Sequence, residues 1–365
     1  MKIGARTLKT GIAVFISLLI PFLLGFPEVS DLAGISAIYS LQPSVKKSFG
    51  VVQERILANT LGGILAVLVS LSIGNSLLTI AFACALLIAI LHQLRLDNVI
   101  GLAAVTMIVI MLTEKDAIFV DAILRVLATF IGVVVTFLVN TLVLPPEYNE
   151  RLLTKIENTT DHLTKYTRAS LRKNSQFGIL KKDLTVIKKE IHAMDQLLLL
   201  VTDQNSFWYF KRPYTNLRVV VVYRQFIRAS KAAYHLTDTF HDTENVYNHF
   251  PQDTRIIIRE RVETLMSAHE QILMKFTGRI LPDDVNFIAY KASLRKTFMD
   301  TFFSQASMEA YMNDDYGHSN SVIHLMSSIL DYEEELQHLN VLVRSYTKHH
   351  QKAKEEKNKN LNTTE

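Results

Sequence analysis

Two segments of the chain are near copies of each other. Arg55 opens one copy and Arg125 opens the other, and the register runs without a gap between residues 31–70 and 101–140. Ten of these 40 aligned positions are identical, including both arginines and the glycine seven residues after each. Apolar segments match by chance, whereas aligned arginines and glycines seldom do. The sequence therefore predicts two structural copies of one unit.

The chain changes character near Pro145. Before this point it consists of long apolar runs, and after it the sequence is charged and rich in helix-forming residues. The apolar runs fall at about 8–26, 32–42, 56–73, 77–94, 98–113 and 122–144. Six runs predict a six-span membrane domain over residues 1–146, although the second and fifth are shorter than the roughly 20 residues of a full crossing.

Loop charges predict how this domain is oriented. The N-terminus and the second and fourth loops carry basic residues, namely Lys2, Arg6, Lys9, Lys46, Lys47 and Arg95. The first, third and fifth loops hold mainly acidic residues, Glu28, Asp31, Glu114 and Asp116, with Lys115 as their one lysine. Because basic loops stay inside, we predict a multi-pass protein of the plasma membrane with both termini in the cytoplasm.

The number of spans in each copy predicts how the two copies are oriented relative to each other. Its unit contains three spans, an odd number, so the second copy runs through the bilayer the opposite way. We therefore predict an all-α membrane protein with six transmembrane helices in a 3+3 inverted repeat. In transporters of this kind the ligand binds near the interface of the repeats, beside short or interrupted helices.

The candidate substrate-binding residues follow from this prediction. Guanidinium groups match a carboxylate in shape and charge, so Arg55 and Arg125 are predicted to attract or coordinate an organic anion. The polar side chains of the short spans complete the set: Ser36, Tyr39, Ser40, Gln42 and Thr106. Other interpretations stay open, because an arginine at a helix end often only reaches the lipid headgroups. For the serines, the alternative is that their hydroxyls bond back to carbonyls of their own helix.

Small residues recur at steps of four in the third and sixth runs. They are Ala58, Gly62 and Ala66 in the first copy, and Ala128 and Gly132 in the second. Such ridges allow helices to approach closely in a membrane, so we predict a packing role for these residues.

The remainder of the chain predicts a cytoplasmic α-helical bundle over residues 147–350, followed by a disordered polar tail at 351–365. The segment Asp331–Glu335 resembles a solvated acidic face. No phosphate loop, dinucleotide fingerprint or nucleophile elbow occurs, so we predict no enzyme activity and no cofactor. His235 and His241 are six residues apart and share no helix face, and Cys84 is the only cysteine, so no metal site is expected. A net charge of +4 over 365 residues gives no reason to expect nucleic-acid binding.

The stretches 35–44 (ISAIYSLQPS) and 55–63 (RILANTLGG), with the basic N-terminus and six spans, resemble the bacterial aromatic acid exporter family. These are fusaric-acid-resistance-like membrane proteins, with plant aluminium-activated malate transporters as distant relatives. The chain is most similar to the small Gram-positive branch with a helical cytoplasmic C-terminal domain. The resemblance implies export of organic anions, including aromatic carboxylates. Larger relatives carry two such membrane units, so it also implies a homodimer in the lipid bilayer.

A membrane-anchored scaffold or sensor, whose cytoplasmic bundle binds a partner, is the alternative function. A polar cavity among spans two, three, five and six would favour transport, and a dry, fully packed membrane bundle would favour the scaffold.

Overall fold

A computed structural model describes residues 5–113, 117–143, 147–171, 177–207, 215–243, 247, 252–281, 296, 298–300 and 316–362. All regular structure in these residues is helical. The chain divides into two compact units, Met1–Pro146 and Glu147–Glu365, which are described separately.

The first unit contains six α-helices among its described residues, and they follow one another in two matching sets. The first set is α1 (Ala5–Leu23), α2 (Ser30–Ser40) and α3 (Val45–Ser72); the second set is α4 (Leu77–Gln93), α5 (Ile100–Met111) and α6 (Ile118–Leu142). A short 3-10 turn precedes α2 at Pro27–Val29, and another precedes α5 at Asp97–Val99. The two turns are separated along the chain by the same offset as Arg55 and Arg125.

The helices of the two sets pack against each other crosswise. Helix α2 packs on α6 and α5 packs on α3, while α1 contacts α6 and α4 contacts α3. The two long helices α3 and α6 also contact each other directly. Each helix therefore has the neighbours that its counterpart in the other set has.

Three stretches in the described helices are long and apolar enough to cross a membrane, Arg6–Leu23, Val45–Ser72 and Ile118–Leu142, whereas α4 and α5 are shorter apolar helices. Helix α2 has 11 residues. At 1.5 Å per residue it extends about 17 Å, roughly half of the hydrocarbon thickness. It ends at Ser40 because Leu41 turns to an extended conformation before Pro43, and the Ser44 hydroxyl then caps α3 by accepting from the Lys47 amide at 3.1 Å.

The described helices of the second unit form a bundle around one apolar core. They are α7 (Tyr148–Leu171), α8 (Phe177–Phe207), α9 (Thr215–Asp242), α10 (Gln252–Thr277) and α11 (Tyr316–Asn362). Helix α9 packs against α7, α8 and α11, and α10 packs against α7 and α11. Helix α11 continues to Asn362 and so includes most of the segment for which the sequence predicts disorder.

One sequence expectation about this unit is wrong for two of its residues, although Asp331 and Glu334 are exposed. Glu333 and Tyr332 belong to the segment interpreted as a solvated acidic face, yet both side chains are buried. Glu333 pairs with Arg261 of α10 at 2.5 Å, and both side chains of that pair are about 5% exposed or less. The charge is buried because a cation from another helix compensates it, which the local run of acidic residues does not reveal.

Candidate functional site

Arg55 is buried inside the first unit. Its side chain is 5% exposed, although it stands on α3 in a region of apolar helices. Nη1 donates to the backbone oxygen of Ser36 on α2 at 3.2 Å, and the guanidinium carbon lies 5.9 Å from the ring centre of Tyr39. The Nε atom has no hydrogen-bond partner. One guanidinium donor is therefore left unsatisfied in a setting where that costs free energy.

No carboxylate of the described residues pairs with Arg55. None of the ion pairs formed within the described ranges includes it. One turn further along the same face of α3 lies Asn59, which is 2% exposed and whose Oδ1 also has no hydrogen-bond partner. A buried cation and an unsatisfied amide oxygen thus lie one helical turn apart on α3, and the cation contacts Ser36 and Tyr39 of α2.

Arg125 has a different environment from its counterpart. Its Nε donates to Asp121 at 2.7 Å, and the Thr113 hydroxyl donates to the same carboxylate oxygen at 2.7 Å. The arginine and aspartate side chains are 15% and 17% exposed. The charge of Arg125 is therefore compensated within its own helix, and the two arginines of the repeat are not electrostatically equivalent.

The predicted polar residues of the short spans are distributed unevenly around Arg55. Ser36 and Ser40 are buried, and the Ser40 hydroxyl bonds back to the Ser36 carbonyl at 2.6 Å. Thr106 likewise bonds back to Leu102 at 3.0 Å. Tyr39 is 62% exposed and turns its ring toward Arg55. Gln42 accepts, through its backbone oxygen, a hydrogen bond from Asn140.

The glycines of the two copies occupy equivalent contacts. A Cβ on Gly62 would lie 3.3 Å from the backbone oxygen of Ala103, and one on Gly132 would lie 2.2 Å from that of Ala33. Gly62 and Gly132 are aligned in the repeat, and so are Ala33 and Ala103. The two glycine–alanine contacts are therefore equivalent. The remaining small residues of the ridge, Ala58, Ala66 and Ala128, are buried.

A groove of about 440 Å³ lies between α3 and α6. Its lining is apolar, from Thr60 to Leu68 on one side and from Phe119 to Leu127 on the other, and does not include Arg55. This groove is therefore not the polar cavity that would favour transport, and the polar groups that could bind an anion lie around Arg55, outside it.

Sequence reasoning missed three residues of this region. Lys9 was counted only as a charge of the N-terminus, and Asn59 and Asn140 were not considered. All three are buried. A signal for the two asparagines was present, because amides inside apolar spans are rare and functional by default.

The sequence of this chain matches those of known proteins. The family described as Aromatic acid exporter family member 1 matches residues 1–143, which confirms the resemblance found in the sequence. The UPF0421 protein YgaE of Bacillus subtilis (strain 168) is 33% identical over 356 residues, which cover 96% of this chain and 98% of the relative. The chain belongs to the UPF0421 family.

Other UPF0421 proteins match shorter parts. The UPF0421 protein OB2406 of Oceanobacillus iheyensis is 27% identical over 286 residues, 75% of this chain and 78% of the relative. The UPF0421 protein BH2644 of Halalkalibacterium halodurans is 29% identical over 210 residues, 58% of each chain. This UPF0421 protein is thus a membrane protein whose first unit matches an exporter family.

Proposed function

We propose that this UPF0421 protein exports organic anions, with aromatic carboxylates as the first class to test, and that Arg55 is the residue that binds the carboxylate. The observation that carries the proposal is the buried charge of Arg55, which has an unsatisfied Nε and no acidic partner among the residues described. A buried charge is normally paired, so an anion from outside the chain is the natural partner.

The proposal gives the other predicted residues specific roles. Tyr39 lies beside the guanidinium and Asn59 lies one helical turn further along α3, and both would contact the remainder of the substrate, while Ser36 holds Arg55 through its carbonyl. Ser40, Gln42 and Thr106 would shape the short helices. Arg125 contributes little attraction because Asp121 balances its charge. Since Arg55 is 5% exposed, the substrate would reach it only when the end of α2 moves.

We further propose that the six helices form a 3+3 inverted repeat in the plasma membrane, with both termini and the second unit in the cytoplasm. The constant offset along the chain between matching helices and their crosswise packing support the repeat. The loop charges support the orientation. Because larger relatives carry two membrane units, we propose a homodimer.

Efflux of radiolabelled 4-hydroxybenzoate from a deletion strain tests the function. We expect the wild-type gene to restore efflux and Arg55→Gln to reduce it strongly, because a charge-assisted hydrogen bond contributes about 1.5–3 kcal/mol, or about ten- to a hundredfold in affinity. Arg55→Lys keeps the charge without the planar fork and should restore only part of the rate.

Lys47→Gln is the matched control, since it removes an exposed cation from the same helix. It should leave efflux unchanged at equal membrane abundance. Normal efflux from Arg55→Gln would reject the role of this arginine. Equal efflux from the deletion and complemented strains would reject export and favour the scaffold function.

A further inference from the structure

Lys9 is a second buried cation of the first unit. It stands on α1 with a side chain that is 6% exposed. Its Nζ donates to the backbone oxygen and to Oδ1 of Asn140 on α6, both at 3.3 Å. Both acceptors are neutral, and no ion pair within the described part of the chain includes Lys9. An ammonium has three donors, so one remains for a further acceptor.

Asn140 is fixed in the orientation that receives the lysine. Its Nδ2 donates to the backbone oxygen of Gln42 at 3.0 Å and to the Ser48 hydroxyl at 2.8 Å. These two bonds use both amide protons, so Oδ1 is left to face Lys9. The cluster of Lys9, Asn140, Gln42 and Ser48 joins α1, α6, the segment after α2 and the first turn of α3, and the ammonium is its one full charge.

The cluster lies near Arg55 but does not coincide with it. Ser48 and Arg55 are seven residues apart and both buried on α3, which is two helical turns or about 10.5 Å along the axis. Both cations are attached to the end of α2, Arg55 through the Ser36 carbonyl and Lys9 through Asn140 and the Gln42 carbonyl. This separation is too large for one small carboxylate group to contact both.

We propose that Lys9, held by Asn140, forms a second anion-binding subsite that accepts a carboxylate about two helical turns from Arg55. The inference rests on the proposed export function and adds a step to it. An anion bound at Lys9 would neutralise the buried ammonium. It would then lie about two helical turns from the guanidinium of Arg55. Two adjacent cationic subsites let an anion leave one while it is attracted to the other.

Proteoliposomes containing the full-length protein and radiolabelled benzoate test the subsite. We expect Lys9→Gln to raise the KM for benzoate about tenfold, as expected for one lost charge-assisted hydrogen bond. Lys9→Arg should stay within about threefold of wild type because the charge is kept. Lys47→Gln should transport like wild type.

Thermal unfolding in detergent separates binding from packing. Benzoate should still raise the Tm of Arg55→Gln, because the Lys9 subsite remains, and should have no effect on the double variant with Lys9→Gln. Asn140→Asp gives Lys9 a fixed counter-ion of the same size as the amide. It should raise the KM as Lys9→Gln does while an ion pair joins α1 and α6, at the cost of the two hydrogen bonds that the amide donates to Gln42 and Ser48, and it serves if Lys9→Gln does not fold.

The experiments distinguish failure of the Lys9 subsite from failure of the proposed export function. A wild-type KM in Lys9→Gln or Asn140→Asp, or loss of the benzoate effect in Arg55→Gln alone, overturns the subsite and leaves the export function intact. If wild-type vesicles transport no benzoate and benzoate does not change the Tm, both the subsite and the export of this class of carboxylate are rejected.

Discussion

At the scale of single residues, the repeat allows Arg55 to be compared with its counterpart Arg125. Asp121 precedes Arg125 by four residues and neutralises it, whereas the equivalent position before Arg55 is held by Val51. A carboxylate and an arginine four residues apart on a helix face each other across one turn. Valine at one position and aspartate at its equivalent thus separate an arginine that is unpaired among the described residues from a compensated one.

Val51→Asp should therefore inactivate Arg55 without removing it. The new carboxylate would pair with the guanidinium as Asp121 pairs with Arg125, and this internal partner would compete with the substrate. We expect anion efflux to fall about as far as in Arg55→Gln, on the order of tenfold or more. Val51→Asn, which has the same size without the charge, is the control and should retain most of the rate. Equal rates for Val51→Asp and wild type would contradict the assignment of Arg55.

At the scale of helices, the approach of α6 to α2 depends on Gly132. The backbones are so close there that a Cβ would lie 2.2 Å from the Ala33 oxygen, a distance that no relaxation of side chains can correct. The equivalent approach of α3 to α5 at Gly62 is looser, with 3.3 Å to the Ala103 oxygen. The two halves therefore share the same helix contact, but the contact at Gly62 has more room for an added Cβ than the contact at Gly132.

Gly132→Ala should lower the free energy of unfolding by about 3 kcal/mol, the upper part of the range for overpacking. Gly62→Ala should cost less, because a shift of a few tenths of an ångström suffices. Gly50→Ala is the matched control on α3, since its added Cβ would meet nothing within 4 Å. It should be neutral or stabilising by about 0.5–1 kcal/mol. Thermal melting in detergent measures the order of stability of these three variants. Equal melting temperatures of the Gly132 and Gly50 variants would refute the close contact.

At the scale of the whole molecule, the chain combines a unit of apolar helices with a polar helical bundle that buries charged and titratable groups. In the bundle, Nδ1 of His269 lies 2.9 Å from the Tyr332 hydroxyl, and Nε2 has no hydrogen-bond partner. Burial lowers the pKa of His269 to about 4 and raises the pKa of Tyr332. Both side chains are therefore neutral at pH 7.

Acid should consequently destabilise the second unit. The pKa of His269 in the folded state is about 4, below the value of about 6.5 expected when unfolded, so between these values the unfolded chain binds more protons. The free energy of unfolding should decrease as the pH falls from about 6.5 to about 4, by an amount on the order of 3 kcal/mol. Denaturant titration followed by the fluorescence of Trp208, the single tryptophan, measures this change.

His269→Gln is the control for this pH dependence. It removes the titrating group and should flatten the profile between pH 6.5 and 4, whatever its effect on stability at neutral pH. The same slope in wild type and variant would attribute the acid sensitivity to other groups.

The helices of the first unit, most of their approximate limits and the constant offset between its two copies can be predicted from the sequence. These depend on local signals: apolar runs, the break at Pro43, the cap at Ser44 and aligned residues of the repeat. A local signal also existed for the ion pair of Arg125, because Asp121 lies four residues before it on the same helix, yet the sequence predictions assign Arg125 only to anion binding. Family membership likewise followed from short stretches of the first unit.

Which charges are buried, and which groups face them, depends on packing between helices that the sequence does not reveal. Lys9 looked like a charge of the N-terminus, but packing brings it to Asn140, 131 residues away in the chain. Glu333 looked solvated, yet Arg261 of another helix makes its burial possible. Burial and electrostatic pairing depend on neighbours that are distant in sequence, and a single sequence contains no direct signal for such neighbours. The surroundings of Arg55 arise in the same way, because the Ser36 carbonyl and the Tyr39 ring reach it from a separate helix.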